Sequence, residues 1–220
     1  MTMSSVYENV HLIAQKIDGW LDNEESRLLF NRVSTVDKSG CFVEIGSWCG
    51  KSLVYILNAL INVNCDNKVF SIDPYLTSKG ESNHMYEVLK KNLTELGLWD
   101  RVCQIKEKSQ IVGESWDVPI SLIFIDGFHR YEAVKKDFVL FFEHVIENGF
   151  CLIHDVGYWQ GPTDLVLELE ELNKSAIVTD FINSTICVCK KSNPSEEEIE
   201  KSRKLIQVLK NSIANRTLAV

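Results

Sequence analysis

The sequence predicts an α/β domain: seven strands in a mostly parallel sheet, helices on both faces, and extra helices at both termini. Three observations predict it. Short apolar runs rich in Ile, Val, Phe and Cys recur along the chain, separated by longer stretches with apolar residues at three- and four-residue steps. Such alternation is the signature of βαβ units. Several apolar runs end abruptly in an acid or a glycine turn, at Glu44-Ile45-Gly46, Ile72-Asp73-Pro74, Ile125-Asp126-Gly127 and Ile153-His154-Asp155. Parallel strands present ligand-binding groups just past their carboxyl ends. Finally, 220 residues with 45% hydrophobic content suit one large domain, and no repeat, low-complexity tract or linker divides them. The expected organisation is a helical extension over 1–38, a main domain over 39–192 and a C-terminal helix over 193–220.

The elements follow in order. Val10, Ile13, Ile17, Trp20, Leu21, Leu28, Leu29 and Val33 recur at helical spacing, interrupted by Gly19 and Asp22-Asn23. Two amphipathic helices joined near Trp20–Asn23 fit this pattern. Cys41–Ile45 reads as a short buried strand, and a helix should run from Lys51 to about Asn62. Lys68–Ile72 is the next strand, Ser82–Leu96 a helix, and Val102–Lys106 a strand. Ser121–Ile125 is a fourth strand, followed by a helix from Tyr131 to about Glu147. Asn148-Gly149 turns into a strand over Phe150–Ile153. A helix around Thr163–Leu172 precedes two strand-like runs, Ala176–Thr179 and Thr185–Lys190. Ser195-Glu196-Glu197-Glu198 is a capping-box pattern opening a helix to about Asn215.

Composition excludes several classes. A net charge of −8 argues against a phosphate-backbone binder, which needs clustered Lys and Arg, so no nucleic-acid partner is expected. Seven cysteines are scattered mostly in apolar runs, Cys187-Val188-Cys189 lacks zinc spacing, and a reduced, cytoplasmic compartment is the simplest expectation. No apolar run approaches the roughly 18 residues needed to span a bilayer, so no membrane partner is expected either.

Val43-Glu44-Ile45-Gly46-Ser47-Trp48-Cys49-Gly50-Lys51-Ser52 looks at first like a phosphate-binding loop. That motif needs four residues between its first glycine and the Gly-Lys-Ser, and only three separate Gly46 from Gly50. The other reading is a strand, an acid, and a glycine turn opening a helix. Glu44 could attract a cationic group such as a ligand ammonium. Asp73, at the end of the next strand, suits a bidentate hydrogen bond to ribose hydroxyls. Alternatively both are polar loop ends.

These motifs resemble those of the class I S-adenosylmethionine-dependent methyltransferases, over roughly Trp20 to Lys190. The likeness is strongest to the branch of macrolide-sugar and rhamnosyl O-methyltransferases and cephalosporin-hydroxylase-like proteins. Their order of motifs matches EIGSxxGKS, IDP, a later Ser, IDGxHxYexvxxD and HD here. The resemblance implies a Rossmann-like fold and S-adenosylmethionine as cofactor, held by Glu44, Gly46, Ser47, Gly50, Ser52, Asp73 and Asp126. It also implies that Ser109-Gln110 contacts the adenine.

Methyl transfer to oxygen requires an aligned acceptor and removal of its proton. Asp126 and Asp155 could supply oxygen ligands to a divalent metal such as Mg²⁺ or Mn²⁺, as the resembling families imply. The third ligand departs from the family pattern. His154 stands where some relatives have an acid, and Val156 where others have Asn. Imidazole suits Mn²⁺, Fe²⁺ or Zn²⁺ better than Mg²⁺. His129, three positions after Asp126, is the candidate general base, with Asp126 as orienting group. His11, His84 and His144 lie in helical contexts that favour ordinary packing, and Asp137 is expected to be structural. Trp48, Tyr75, Tyr158 and Trp159 could stack on a ligand or simply pack, and Tyr158-Trp159-Gln160-Gly161-Pro162 reads as an acceptor-side loop.

The expected activity is therefore O-methylation of a small hydroxylated acceptor, a sugar or glycosylated metabolite. The alternative is a non-catalytic or sugar-nucleotide-binding Rossmann-like module. The N-terminal helices could serve as a lid or as a contact in a homo-oligomer.

Overall fold

The structure is a computed structural model, and it describes residues 2–76, 84–214 and 218–219. One seven-stranded sheet organises the chain. Its strands are β1 (Cys41–Ile45), β2 (Val69–Ile72), β3 (Val102–Ile105), β4 (Ile120–Ile125), β5 (Val145–Ile153), β6 (Ala176–Ile182) and β7 (Thr185–Lys190). Their order is β3-β2-β1-β4-β5-β7-β6. The first five run parallel, while β7 pairs antiparallel with both β5 and β6. This is the expected Rossmann-like, mostly parallel sheet.

The described helices divide between the faces. α1 (Met3–Ala14), α2 (Asn23–Thr35), α3 (Lys51–Asn62) and α4 (Met85–Glu95) cover one face. α5 (Ser109–Gly113), α6 (Tyr131–Phe142), α7 (Gln160–Leu172) and α8 (Glu196–Ile213) cover the other. Strand alternation explains the two cores. Phe42, Leu122, Phe124 and Leu152 face α1–α4, while Val43, Ile45, Ile123 and Ile125 face α5–α8. Burial of each such side chain contributes about 1.5–3 kcal/mol. Glu44 lies on the first of these faces and is fully buried.

Local signals set most boundaries. Asp22 caps α2 in a reciprocal capping box with Glu25, and Ser195 caps α8 in the same way with Glu198. Three expectations need correction. The helix after β4 stops at Phe142 rather than near Glu147, because Val145 joins the sheet opposite Ile120. Asn148-Gly149 consequently lies inside β5, as a kink where the pairing skips and Asn148 adopts φ 60°. Gln160-Gly161-Pro162 opens α7 instead of extending a loop. Ser109-Gln110 begins the short helix α5. The expected helix start at Ser82 and helix end at Asn215 lie outside the described residues.

The chain runs outward through β1, β2 and β3, then returns to place β4 beside β1. That reversal is a topological switch point, where doubly wound sheets open a crevice at their carboxyl ends. Here the crevice floor is made by the turns that follow β1 and β4. Gly46 has φ +84°, and a Cβ on it would stand 2.1 Å from the backbone oxygen of Asp126. Only glycine permits this approach.

Candidate active site

A cavity of about 1290 Å³ opens at this crevice. Gly46, Ser47, Ser52, Asp73, Ser109, Gln110, Asp126, His129, His154 and Asp155 all line it. Sequence positions spread over 110 residues thus converge on one space. Glu44 and Gly50 do not line the cavity. Gly50 instead sits at the N-cap of α3 in a left-handed conformation.

At one end, Asp73 organises the loop after β1. Its Oδ2 accepts from Ser47 N at 3.0 Å and Trp48 N at 3.2 Å, and its Oδ1 accepts from Tyr75 N at 2.7 Å. Burial nevertheless raises its pKa, against the lowering effect of those three donors. Ser47 Oγ is tied to Ser71 Oγ at 2.6 Å. Behind this loop, neither oxygen of Glu44 has a hydrogen-bond partner among the described residues. Burial pushes its pKa up to about 8. The hydroxyls of Ser47 and Ser52 offset part of that shift, and the negative charges of Asp126 and Asp73 add to it. Ser109 and Gln110 border the same end, and both donate to the buried carboxylate of Asp137.

The other end gathers two acids and two histidines. Asp126 follows β4, and Asp155 follows β5 with φ 62°, a conformation costly for most residues but tolerated by Asp. His129 Nε2 lies 2.7 Å from Asp155 Oδ2, a short contact whose angle falls outside hydrogen-bond geometry. Its ring stacks on Trp159, with centroids 4.5 Å apart and planes 12° apart. α7 begins directly beneath. A Cβ at Gly161 would stand 2.1 Å from the backbone oxygen of His129, so glycine is what lets the helix reach it.

His154 is the hub of this end and is almost fully buried. Its Nδ1 lies 3.0 Å from Asp126 Oδ1 and 3.6 Å from Asp155 Oδ2. Its Nε2 faces Glu25 Oε2 and Ser184 Oγ, each at 3.4 Å. Burial alone would lower the His154 pKa, but the surrounding carboxylates, Asp126 foremost, raise it far above the usual range. Burial also opposes ionisation of Asp155, yet His129 and His154 hold that carboxyl well below the ordinary carboxylate range. Asp126 behaves differently. Burial raises its pKa, His154 and His129 offset part of that rise, and the like charge of Asp155 adds to it.

Sequence reasoning missed Glu25 and Ser184. Glu25 comes from α2 and is 3% exposed. Its Oε1 accepts from Ser184 N at 2.8 Å and from the Ser184 hydroxyl. The pair of residues therefore clamps the N-terminal helices and the β6–β7 turn onto His154. The Asp-x-x-Glu capping box was legible in the chain, but nothing in it signalled that Glu25 reaches a histidine 129 positions away. Asp18, Gly19 and Trp20, from the connection between α1 and α2, also line the cavity.

The donor set at this end suits a metal cation. One atom each from Asp126, His154 and Asp155 lie within 4.8 Å of one another, a spread one ion could bridge. The opposite nitrogen of His154 faces Glu25, the carboxylate–histidine arrangement that orients a metal-binding imidazole. One imidazole with two carboxylates suits Mn²⁺, Fe²⁺ or Zn²⁺ better than Mg²⁺.

The family comparison adds the deciding observation. A family described as a methyltransferase domain matches residues 43–156, from β1 through the strand end that carries His154 and Asp155. The chain belongs to this methyltransferase family. Glu25 and Ser184 lie outside the matched span of the methyltransferase domain, and Asp73, Asp126 and His129 lie within it. An uncharacterized protein of Acanthamoeba polyphaga mimivirus is 28% identical over 156 residues, covering 68% of this chain and 66% of that relative. The alignment thus spans just under two thirds of the relative's length. Among solved structures, the O-methyltransferase NovP matches with a TM-score of 0.64 and 16% identity, covering 76% of this chain and 78% of NovP. An O-methyltransferase from Bacillus cereus in complex with SAH matches with a TM-score of 0.62 and 15% identity, covering 85% and 91%. TomG from Streptomyces achromogenes, an O-methyltransferase in complex with SAM, gives 0.60 and 12%, covering 86% and 90%. At these identities the structural likeness establishes the fold. Among the described residues, no helix is long and apolar enough to cross a membrane.

Proposed function

We propose that this methyltransferase uses S-adenosylmethionine to methylate a hydroxyl of a small acceptor, with His129 as general base. One observation carries the proposal: a single cavity at the switch point joins the Asp73 loop to the cluster of Asp126, His129 and Asp155. The bound cofactors of the B. cereus and Streptomyces neighbours support the cofactor assignment.

S-adenosylmethionine supplies an electrophilic methyl group on a sulfonium. Asp73 and the backbone around Gly46 and Ser47 bind its nucleoside portion. His129 takes the hydroxyl proton of the acceptor, and Asp155 steadies the imidazolium that results. Stacking on Trp159 limits the ring to one plane, which keeps the base oriented. If a divalent ion is bound, Asp126, His154 and Asp155 would hold it, and it would lower the pKa of the acceptor hydroxyl.

Charge narrows the acceptor. Asp18, Asp22, Glu25, Asp73, Asp126 and Asp155 line the cavity, against Lys51, Lys108 and the strongly basic His154. Lys51 is itself engaged, donating from Nζ to Gly19 O at 2.8 Å. Such a field favours neutral or cationic acceptors over phosphorylated ones. Exposed Trp20, Trp48, Phe128 and Tyr158 around the opening offer flat apolar surface to a sugar or aromatic ring.

Calorimetry with S-adenosylmethionine and S-adenosylhomocysteine tests the cofactor. Wild type should bind both and Asp73→Ala should bind them at least about tenfold more weakly, the scale of 1.4 kcal/mol. No binding to either would overturn the reading. His129→Ala should retain cofactor affinity while labelled methyl transfer to a panel of glycosides and phenols falls roughly 10²- to 10⁴-fold. Undiminished turnover would remove His129 from the mechanism.

A further inference from the structure

Asp137 is a buried acid that methyl transfer leaves without a task. It lies on α6 and is 1% exposed. Among the described residues, both hydrogen bonds to its side chain come from residues that line the cavity. Ser109 Oγ donates to Oδ1 at 2.7 Å, and Gln110 Nε2 donates to the same oxygen at 2.6 Å. Burial pushes the Asp137 pKa up to about 6, partly offset by those two donors, so the group is still ionised above neutral pH.

An ionised carboxylate only accepts hydrogen bonds. The Gln110 amide must therefore turn its NH₂ edge toward Asp137. Its carbonyl Oε1 has no hydrogen bond among the described residues, and Gln110 lines the cavity. Without a neighbour of fixed polarity, an amide can rotate and offer donor or acceptor alike. Asp137 removes that freedom.

Position relates this acceptor to one part of a nucleoside. Asp73 ends β2, and Ser109-Gln110 follow β3, the next strand outward. Asp73, Ser109 and Gln110 line the same cavity, so a nucleoside whose ribose is held at Asp73 can bring its base to α5. We propose that Asp137 is a positioning residue that fixes the Gln110 carbonyl toward the base, so that the site selects a 6-aminopurine over a 6-oxopurine. The proposal rests on the cofactor reading above. A 6-amino group donates to Oε1, whereas a 6-oxo group meets it lone pair to lone pair. Sites built to hydrogen-bond a ligand group reject analogues that lack it, because their own buried polar atoms are left unpaired.

The test compares S-adenosylhomocysteine with S-inosylhomocysteine by calorimetry at pH 8, in wild type, Asp137→Asn and Asp137→Ala. Wild type should prefer the adenosyl compound by roughly tenfold or more, the scale of one well-placed hydrogen bond. Both variants should bring the ratio to within about threefold, chiefly by weakening the adenosyl compound. The near-isosteric Asn variant keeps the test valid should Ala unfold, because an Asn side chain can face Gln110 with either polarity. Loss of affinity for both compounds alike would show a merely structural role and overturn the proposal. An unchanged ratio, or equal affinities in wild type, would overturn it while leaving the cofactor reading intact. Failure of wild type to bind either compound would overturn both.

Discussion

Glu44→Gln should flatten the alkaline loss of stability of this protein. Glu44 is 0% exposed, has no hydrogen-bond partner among the described residues, and has two acids nearby. Burial raises its pKa from 4.5 to about 8 in the folded chain. In the unfolded chain the group ionises near its ordinary value. Its contribution to stability is therefore fully present below about pH 4.5 and is lost progressively as pH rises to about 8. Each pH unit within that window costs the native state about 1.4 kcal/mol, so the whole window is worth on the order of 5 kcal/mol. Between pH 6 and 8 the loss is about 2.3 kcal/mol. Gln removes the titration and keeps the shape. Its own packing effect is the same at every pH and cancels when two pH values are compared. Urea unfolding of wild type and Glu44→Gln at pH 6 and pH 9 should give a double difference of about 2–3 kcal/mol, wild type being the more alkali-sensitive. With a urea m-value of roughly 2–3 kcal/mol/M, that is a relative midpoint shift of about 1 M. Parallel pH curves, with a double difference under about 0.5 kcal/mol, would refute the reasoning, because a solvated or well-paired Glu44 would behave in that way.

Other expectations concern the site's scaffold. Glu25→Ala leaves His154 facing an empty position inside the protein, and removing one partner of a buried charged pair should cost about 3–5 kcal/mol in urea unfolding. A change below about 1 kcal/mol would mean that Glu25 does not anchor the histidine. Gly46→Ala places a Cβ 2.1 Å from the Asp126 backbone oxygen and adds about 1–2 kcal/mol of left-handed strain. It should lower the unfolding midpoint and abolish S-adenosylhomocysteine binding, whereas wild-type affinity would contradict the close approach of the two turns. Calorimetry with Mn²⁺ should detect binding in chelator-treated protein, weakened at least about tenfold by Asp155→Ala. No heat of binding in wild type would leave the cluster as a plain ion-pair network.

Much of the fold was legible because its signals are local. Cys41–Ile45, Lys51–Asn62 and Thr185–Lys190 lie where strand runs, the glycine turn and helical spacing place them. The helix over Tyr131–Phe142 shows the limit. Its apolar spacing carries on past Phe142 through Val145, so pattern alone extends it, but pairing of Val145 with Ile120 takes those residues into the sheet. The tertiary contact outweighs a propensity worth only tenths of a kcal/mol per residue.

The same division holds for the site. Sequence by itself determined an α/β sheet with Glu44 within its first strand and Asp73, Asp126 and Asp155 past the ends of three others, because an apolar strand and the polar residues around its end are neighbours in the chain. It could not determine which of those acids meet the cavity. Glu44 lies inside β1 opposite Ser71, whereas Asp73 follows the end of β2, so one is sealed behind the glycine turn and the other lines the opening. Nor could it join Glu25 to His154 or Asp137 to Gln110, since each pair is brought together only when separate helices pack on the sheet. Those contacts decide which atoms carry charge and which acids stay protonated. Only the tertiary structure settles these, because they depend on burial and on partners distant in the chain.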